Sequence, residues 1–296
     1  MTELHDIKTI AESFEGILLD AYGVFWGGNT LGLLPGTPER MEDLVSTGKA
    51  VGILTNTTQR GGKEVLKLKK HGLHQGVHFH FLITAGDIAY DAFINDALPF
   101  ATPKKKYWLS HDVHPLFSSP HSLFEGTSFV EAATIDEADF IYVSIPHLDG
   151  EDQTDPELFR SHTESLISSD LPMVCANPDH FAKEGNPPRP VVRQGSVAKI
   201  YENVGGTVYY FGKPSSSAYT AAMLEFSKYN ITSPSQVLMV GDTPETDIKG
   251  ARNVAMASAL VTETGITAEN IARDGLEAVI ATLEAAKTPD FYIKTL

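Results

Sequence analysis

Short apolar runs that each stop at a polar residue constrain this chain more than any other feature. "GILLD" ends on Asp20, "AVGILTN" on Thr55-Asn56, "VYYFGKP" runs into Gly212-Lys213, and "QVLMVGD" ends on Asp242. Helical patterns separate such runs. "PGTPERMEDLVSTGK" predicts a helix over about residues 35–47, and "GGKEVLKLKKHG" a second one closing at Gly72. "FHFLIT" then reads as a strand and "AGDIAYDAFIND" as a helix. Continuous apolar runs joined through helices make a parallel sheet covered on both faces.

The last third repeats this grammar. "GSVAKIYENVGG" reads as a helix ending at Gly205-Gly206, and "VYYFGKP" as a strand. "SSSAYTAAMLEFSKYN" is a Ser-capped helix, "TDIKGARNV" a short one, and "ASALV" a further strand. The middle differs: it is rich in aromatic and His residues, with strands "KKYWLS" and "DFIYVSIP" and a helix "DPELFRSHTESLISS". The expected fold is α/β, a Rossmann-like parallel-sheet core over 1–84 and 183–296, with an α/β cap inserted at 85–182.

Composition excludes several classes. A net charge of −15 argues against nucleic acid and anionic membrane surfaces, which reward clustered Lys and Arg. A small phosphorylated ligand stays open, since a local cation reverses the local field. The single cysteine, Cys175, allows no intramolecular disulfide and reads as a buried strand residue. The polar N-terminus lacks the layout of a signal peptide, and no apolar run is long enough to span a membrane, so the expected location is cytoplasmic.

In a parallel α/β sheet, ligands collect outside the carboxyl ends of the strands. Asp20, Thr55-Asn56, Lys213 and Asp242 are expected on that edge, with Asp247 one turn beyond. Two carboxylates about 5 Å apart repel by roughly 3 kcal/mol at an effective dielectric near 20. Lys213 offsets one charge; a hard dication offsets two, and Mg²⁺ suits few carboxylates plus waters. A cation beside a lysine and a hydroxyl is a phosphate site. Lys213 and Thr55 would hold phosphoryl oxygens, and Asp20 would attack phosphorus as a nucleophile.

The four motifs, taken in order, resemble the haloacid dehalogenase-like (HAD) superfamily of phosphatases. Asp20 with Gly23-Val24 resembles the first, "ILTNTT" with Thr55 the second, "FGKPSS" with Lys213 the third, and "VGDTPETDIKGA" with Asp242 and Asp247 the fourth. "PGT" at 35–37 and "ANPD" at 176–179 are similar to class IIA, the NagD-like sugar phosphatases. The resemblance implies a C2-type cap between the second and third motifs and catalytic roles for Asp20, Thr55 and Lys213. It implies substrate contacts from Thr55, Asn56 and Lys213. Mg²⁺ would be bound by Asp20, the Tyr22 carbonyl and Asp242, with Asp247 as a ligand or an anchor behind. It also implies a small phosphorylated metabolite, with a sugar phosphate expected, and allows a homodimer formed through the cap.

Tyr22 departs from the pattern. Most phosphatases of the family carry there an aspartate that protonates the leaving group. A backbone carbonyl still serves a metal, so the substitution touches the acid/base alone, a role worth ~10²–10⁴ in rate. Three readings follow. A phosphatase could use Tyr22, a cap residue or solvent as acid. A hydrolase of phosphonates or other self-sufficient leaving groups could use a cap lysine, among Lys104, Lys105, Lys106 and Lys183. A catalytically weak protein could bind the phosphometabolite only. His71, His74, His78 and His80 lack a recognised metal-ligand spacing and read as ordinary. Trp26 either lines the substrate entrance or packs under the cap. His147, Asp149 and "NPPRP" (186–190) either contact substrate or hinge the cap.

Overall fold

The computed structural model describes residues 2–185 and 187–296, so the first residue of "NPPRP" lies outside the described residues. The chain opens with β1 (Leu4–His5), α1 (Ile7–Ala11) and β2 (Gly16–Leu19). Then come α2 (Thr37–Ser46), β3 (Ala50–Thr55), α3 (Gly61–Lys70), β4 (Phe81–Thr84) and α4 (Ala85–Ile94). A second region holds β5 (Lys106–Leu109), β6 (Val130–Glu131), β7 (Phe140–Tyr142), α5 (Arg160–Ser165) and β8 (Met173–Cys175). It continues through β9 (Phe181–Glu184), β10 (Arg189–Val192), α6 (Gln194–Asn203) and β11 (Val208–Tyr210). The chain closes with α7 (Ser216–Ser227), β12 (Val237–Gly241), α8 (Lys249–Asn253), β13 (Ala257–Val261), α9 (Gly265–Asp274), α10 (Leu276–Ala281) and β14 (Phe291–Ile293).

Seven parallel strands form the core sheet in the order β1-β14-β13-β12-β2-β3-β4. Alternate residues of β2 serve opposite faces. Ile17 and Leu19 pack with Met41, Val51 and Ile53, whereas Leu18 packs with Leu54, Tyr219 and Phe226. That is why the strand is apolar at every position. β2 pairs with β3 on one side and β12 on the other, so the chain order reverses beside it. Such a reversal opens a crevice at the strands' carboxyl ends, and Asp20 leaves β2 into it.

Five further strands form a second parallel sheet in the order β11-β8-β7-β5-β6. One face buries Phe93 of α4 with Tyr107, Phe124 and Phe140; the other buries Val197 and Tyr201 of α6 with Ile141, Phe159 and Met173. The α/β fold with a Rossmann-like parallel core and an inserted sheet cap is thus present. The second boundary differs from the expected one. "GSVAKIYENVGG" and "VYY" were expected in the core from residue 183, but α6 and β11 belong to the cap sheet, which extends to Tyr210. Both sheets are parallel, and β11 (VYY) carries only uncharged, largely apolar residues, so its composition does not tell which sheet it joins.

Among the described residues, no helix is long and apolar enough to cross a membrane.

Candidate active site

Three of the four polar strand ends leave the core sheet: Asp20 follows β2, Thr55-Asn56 close β3 and Asp242 follows β12. The fourth comes from the cap. β11 ends at Tyr210, and three residues later Lys213 reaches the same point with 1% of its surface exposed. Its backbone N–H donates to Asn56 Oδ1 at 2.8 Å, and Asn56 Nδ2 donates back to the Lys213 carbonyl at 3.1 Å. This reciprocal pair fixes where the lysine stands.

The Lys213 ammonium lies 2.5 Å from Asp20 Oδ1 and 2.7 Å from Asp247 Oδ1. Asp247 is fully buried, and its Oδ2 accepts the backbone N–H groups of Asp242 (3.1 Å) and Thr243 (3.0 Å). It returns over the strand end on a π-helical turn, Pro244–Ile248, which needs Gly241. A Cβ at Gly241 would overlap the Asp247 side chain. Asp242 Oδ1 accepts from Thr243 Oγ1 at 2.8 Å and Oδ2 from the Ile266 N–H at 2.7 Å. Gly23, at φ +77°, passes so close to Asp242 that a Cβ there would strike its carboxylate. Thr264 Oγ1 ties the Gly23 carbonyl at 2.6 Å.

Asp20, Asp242 and Asp247 each offer a carboxylate oxygen, all within 4.8 Å of one another. One ammonium faces three carboxylates, leaving excess negative charge in a buried place. Burial therefore pushes Asp242 up to about 7, with Asp247 adding to the rise. Burial also raises Asp20 well above the carboxylate range; Lys213 opposes this, while Asp247 and Asp242 reinforce it. Lys213 itself is held firmly protonated by Asp20 and Asp247 despite its burial. Hard oxygen donors with an uncompensated charge fit a divalent cation, which would replace the protons. Asp20, paired with Lys213 through Oδ1, is the freest of the three donors, because both oxygens of Asp242 and both of Asp247 are engaged.

Above these groups lies a cavity of about 280 Å³, the size of a small molecule. Thr55, Tyr22 and Trp26 line its core side, and Asp179, Glu184, Arg193 and Gln194 its cap side. Asp179 accepts from Asn56 Nδ2 at 2.9 Å, and burial pushes its carboxyl up to about 6. Tyr22 is half-buried. Desolvation holds its phenol above the ordinary value, with Glu184 and Glu64 adding to the rise. Its ring lies 5.8 Å from the Lys67 ammonium, and the hydroxyl bonds to neither Asp20 nor Lys213.

Other sequence candidates separate here. Lys104 donates to the Asp136 and Ala138 carbonyls, Lys105 pairs with Asp96, and Lys106 with Glu137. Only Lys183 of those four lines the cavity, and Glu269 pairs with it at 3.1 Å. His80 accepts the Val51 N–H, His78 accepts the His74 N–H, and His71 packs edge-on against Trp26. Trp26 both lines the cavity and is buried. His147 bonds the Asp112 carbonyl and does not reach the cavity, whereas Pro188 does. Cys175 is buried, its thiol pushed up to about 12 and directed at the Asn177 carbonyl, so it is no nucleophile.

Asp179, Glu184, Arg193 and Gln194 escaped the reading of strand ends: Asp179 lies four residues past β8, Glu184 ends the partly polar hairpin strand β9, and Arg193 and Gln194 open α6. "ANPD" signalled Asp179 alone.

Residues 210–296 match the HAD-hydrolase-like family model. Chronophin of Rattus norvegicus is 24% identical over 303 residues, covering 98% of this chain and 88% of that protein. A haloacid dehalogenase-like hydrolase from Brucella suis 1330 superposes with a TM-score of 0.78 at 21% identity, covering 99% of this chain and all of that one. A possible sugar phosphatase of the HAD superfamily from Cytophaga hutchinsonii gives 0.72 at 19%, covering 100% and 98%. The fold is that of a class IIA HAD protein. The family match covers the C-terminal part of the chain, and the likeness to class IIA HAD structures spans all of it.

Proposed function

We propose that this HAD-like phosphatase is Mg²⁺-dependent and hydrolyses a small phosphorylated metabolite, a sugar phosphate first, through an aspartyl-phosphate on Asp20. One observation carries the reading: the Lys213 ammonium bridges Asp20 and Asp247 beside Asp242, directly under a capped cavity. The Cytophaga hutchinsonii relative, described as a possible sugar phosphatase, supports the substrate class.

Asp20 and Asp242 would hold Mg²⁺ with the Tyr22 carbonyl, and Asp247 would position them; the ion, when bound, neutralises charge on the phosphoryl oxygens. A carboxylate oxygen of Asp20 attacks phosphorus in line. The bond from phosphorus to the leaving oxygen breaks, and its electron pair goes to that oxygen. Lys213 and the Thr55 hydroxyl hold the equatorial oxygens as charge develops on them. Asn56 keeps Lys213 in place. The leaving oxygen takes a proton, and a catalytic acid works best with a pKa near the working pH. Asp179, pushed up to about 6, matches that need; the phenol of Tyr22, already raised further by burial, does not. Water then attacks the phosphorus of the aspartyl-phosphate, gives its proton to Asp179, and frees Asp20 with inorganic phosphate.

The test is Mg²⁺-dependent phosphate release from esters running from 4-nitrophenyl phosphate to sugar phosphates, with Asp20→Asn as the blank. Release that depends on Asp20 is expected. Binding of phosphate and metal without release from any ester overturns the enzyme and leaves the phosphometabolite-binding protein.

A further inference from the structure

Two residues on the cap side of the cavity each carry a buried polar atom with no hydrogen-bond partner. Arg193 is 4% exposed and Gln194 is 2% exposed, and both line the cavity above Asp20. Arg193 Nη1 is used: it donates to Asp152 Oδ1 at 2.8 Å and to the Val192 carbonyl at 3.0 Å. Its Nη2 makes no hydrogen bond and forms a long ion pair with Glu184 Oε1 at 3.7 Å. Gln194 Oε1 is likewise enclosed and accepts nothing. Buried polar groups in native proteins are almost always satisfied, so an enclosed, unbonded donor and acceptor on two successive cavity-lining residues point to a ligand.

Both residues are held in place from the catalytic side. The Arg193 N–H donates to the His180 carbonyl at 2.8 Å, and the Gly195 N–H to the Asp179 carbonyl at 3.1 Å. The Asp179 side chain is in turn bonded to Asn56, the residue that fixes Lys213. Gly195 permits this approach, since a Cβ there would strike the Pro178 carbonyl. The backbone that carries both side chains is therefore tied to the residues around Asp20 and Lys213.

We propose that Arg193 and Gln194 are the specificity-determining pair for the leaving half of the substrate, and that they read uncharged hydroxyl groups on it. The proposal rests on the phosphatase reading above. A hydroxyl, or two neighbouring ones, accepts from Arg193 Nη2 and donates to Gln194 Oε1. A carboxylate or second phosphate would satisfy the arginine but set an acceptor against Gln194 Oε1. It would also meet Asp152 and Glu184, which together outnumber the guanidinium's charge. An apolar leaving group leaves both atoms unpaired, and sites built to bond a hydroxyl reject analogues lacking it strongly. The class singled out is the polyol or sugar monophosphate with no second anion.

Binding tests this separately from turnover. Titration calorimetry with Mg²⁺ on the Asp20→Asn chain would compare glycerol 3-phosphate and a panel of pentose and hexose monophosphates with phenyl phosphate and 3-phosphoglycerate. At least one hydroxylated, singly anionic ester should bind tenfold or more tightly than both comparators. Arg193→Met and Gln194→Met should each erase most of that advantage while phenyl phosphate affinity stays the same. Gln194→Met carries the test if loss of the Asp152 pair unfolds the arginine variant. No advantage for hydroxylated esters, tighter 3-phosphoglycerate, or an equal loss for phenyl phosphate in Gln194→Met overturns the proposal. Absence of turnover in the unmodified chain would instead overturn the phosphatase reading, whatever the affinities.

Discussion

The proton that the leaving oxygen needs has two candidate donors, and their surroundings rank them. Burial opposes ionisation of Tyr22, with Glu184 and Glu64 adding to it, while Asp179 is tied to Lys213 through Asn56. Asp179→Asn keeps the shape of the side chain and removes the proton. Its kcat on a sugar phosphate should fall by ~10² or more, the usual worth of an acid/base. On 4-nitrophenyl phosphate, whose leaving group needs no proton, the fall should be much smaller. Tyr22→Phe should leave both rates near the starting values. Steady-state kinetics of both esters check this; equal losses in Asp179→Asn would make the residue a structural tie. Asp20, Thr55 and Asp242 were legible in the sequence because each ends a strand that nothing but burial explains. Asp179 was not, because a turn residue carries no periodicity.

Elements deliver these side chains, and their junctions are the sensitive points. β12 ends at Gly241, and the π-helical turn that follows folds Asp247 back over it. Gly241→Ala forces a Cβ into the Asp247 side chain. Overpacking of this kind costs about 1–3 kcal/mol. Thermal melting should drop, and activity should fall with it, because Asp247 anchors Lys213. Gly62→Ala, inside α3 and facing open space, is the matched control. It should hold or raise the melting temperature, since Ala is favoured over Gly in a helix by up to about 1 kcal/mol. The strand-and-helix grammar was readable because each core strand is buried on both faces. The same grammar misplaced β11. A cap strand under α6 is as apolar as a core strand, and composition does not record which sheet it joins. The return path through α9, α10 and β14 to pair with β1 also went unread, because those segments are short and mixed in polarity.

For the whole molecule, the two halves of the chain meet over a charge that the protein alone leaves unbalanced. Cap and core are joined around the cavity by Lys183 with Glu269 at 3.1 Å and by Gln59 donating to Ser118 at 2.6 Å. Beneath them, Asp242 is raised to about 7 and Asp179 to about 6, with Asp20 raised as well. A carboxyl raised on folding binds more protons in the folded than in the unfolded state between its two pKa values. Its contribution is complete below about 4 and is lost as pH rises through about 7. His111 in the cap works the other way: burial lowers it to about 3, so its contribution is lost as pH falls through that value. The net slope of stability with pH therefore mixes both. Mg²⁺ separates them, because His111 lies outside the carboxylate cluster while the cation and the protons compete for Asp20 and Asp242. The rise in melting temperature from EDTA to excess Mg²⁺ should be larger at pH 7.5 than at pH 5, and scanning calorimetry at the two pH values measures it. An equal rise at both would mean that the cation binds away from these carboxylates. In Asp242→Asn the rise should shrink at pH 7.5 toward its pH 5 value, since the variant lacks the charge that the cation neutralises.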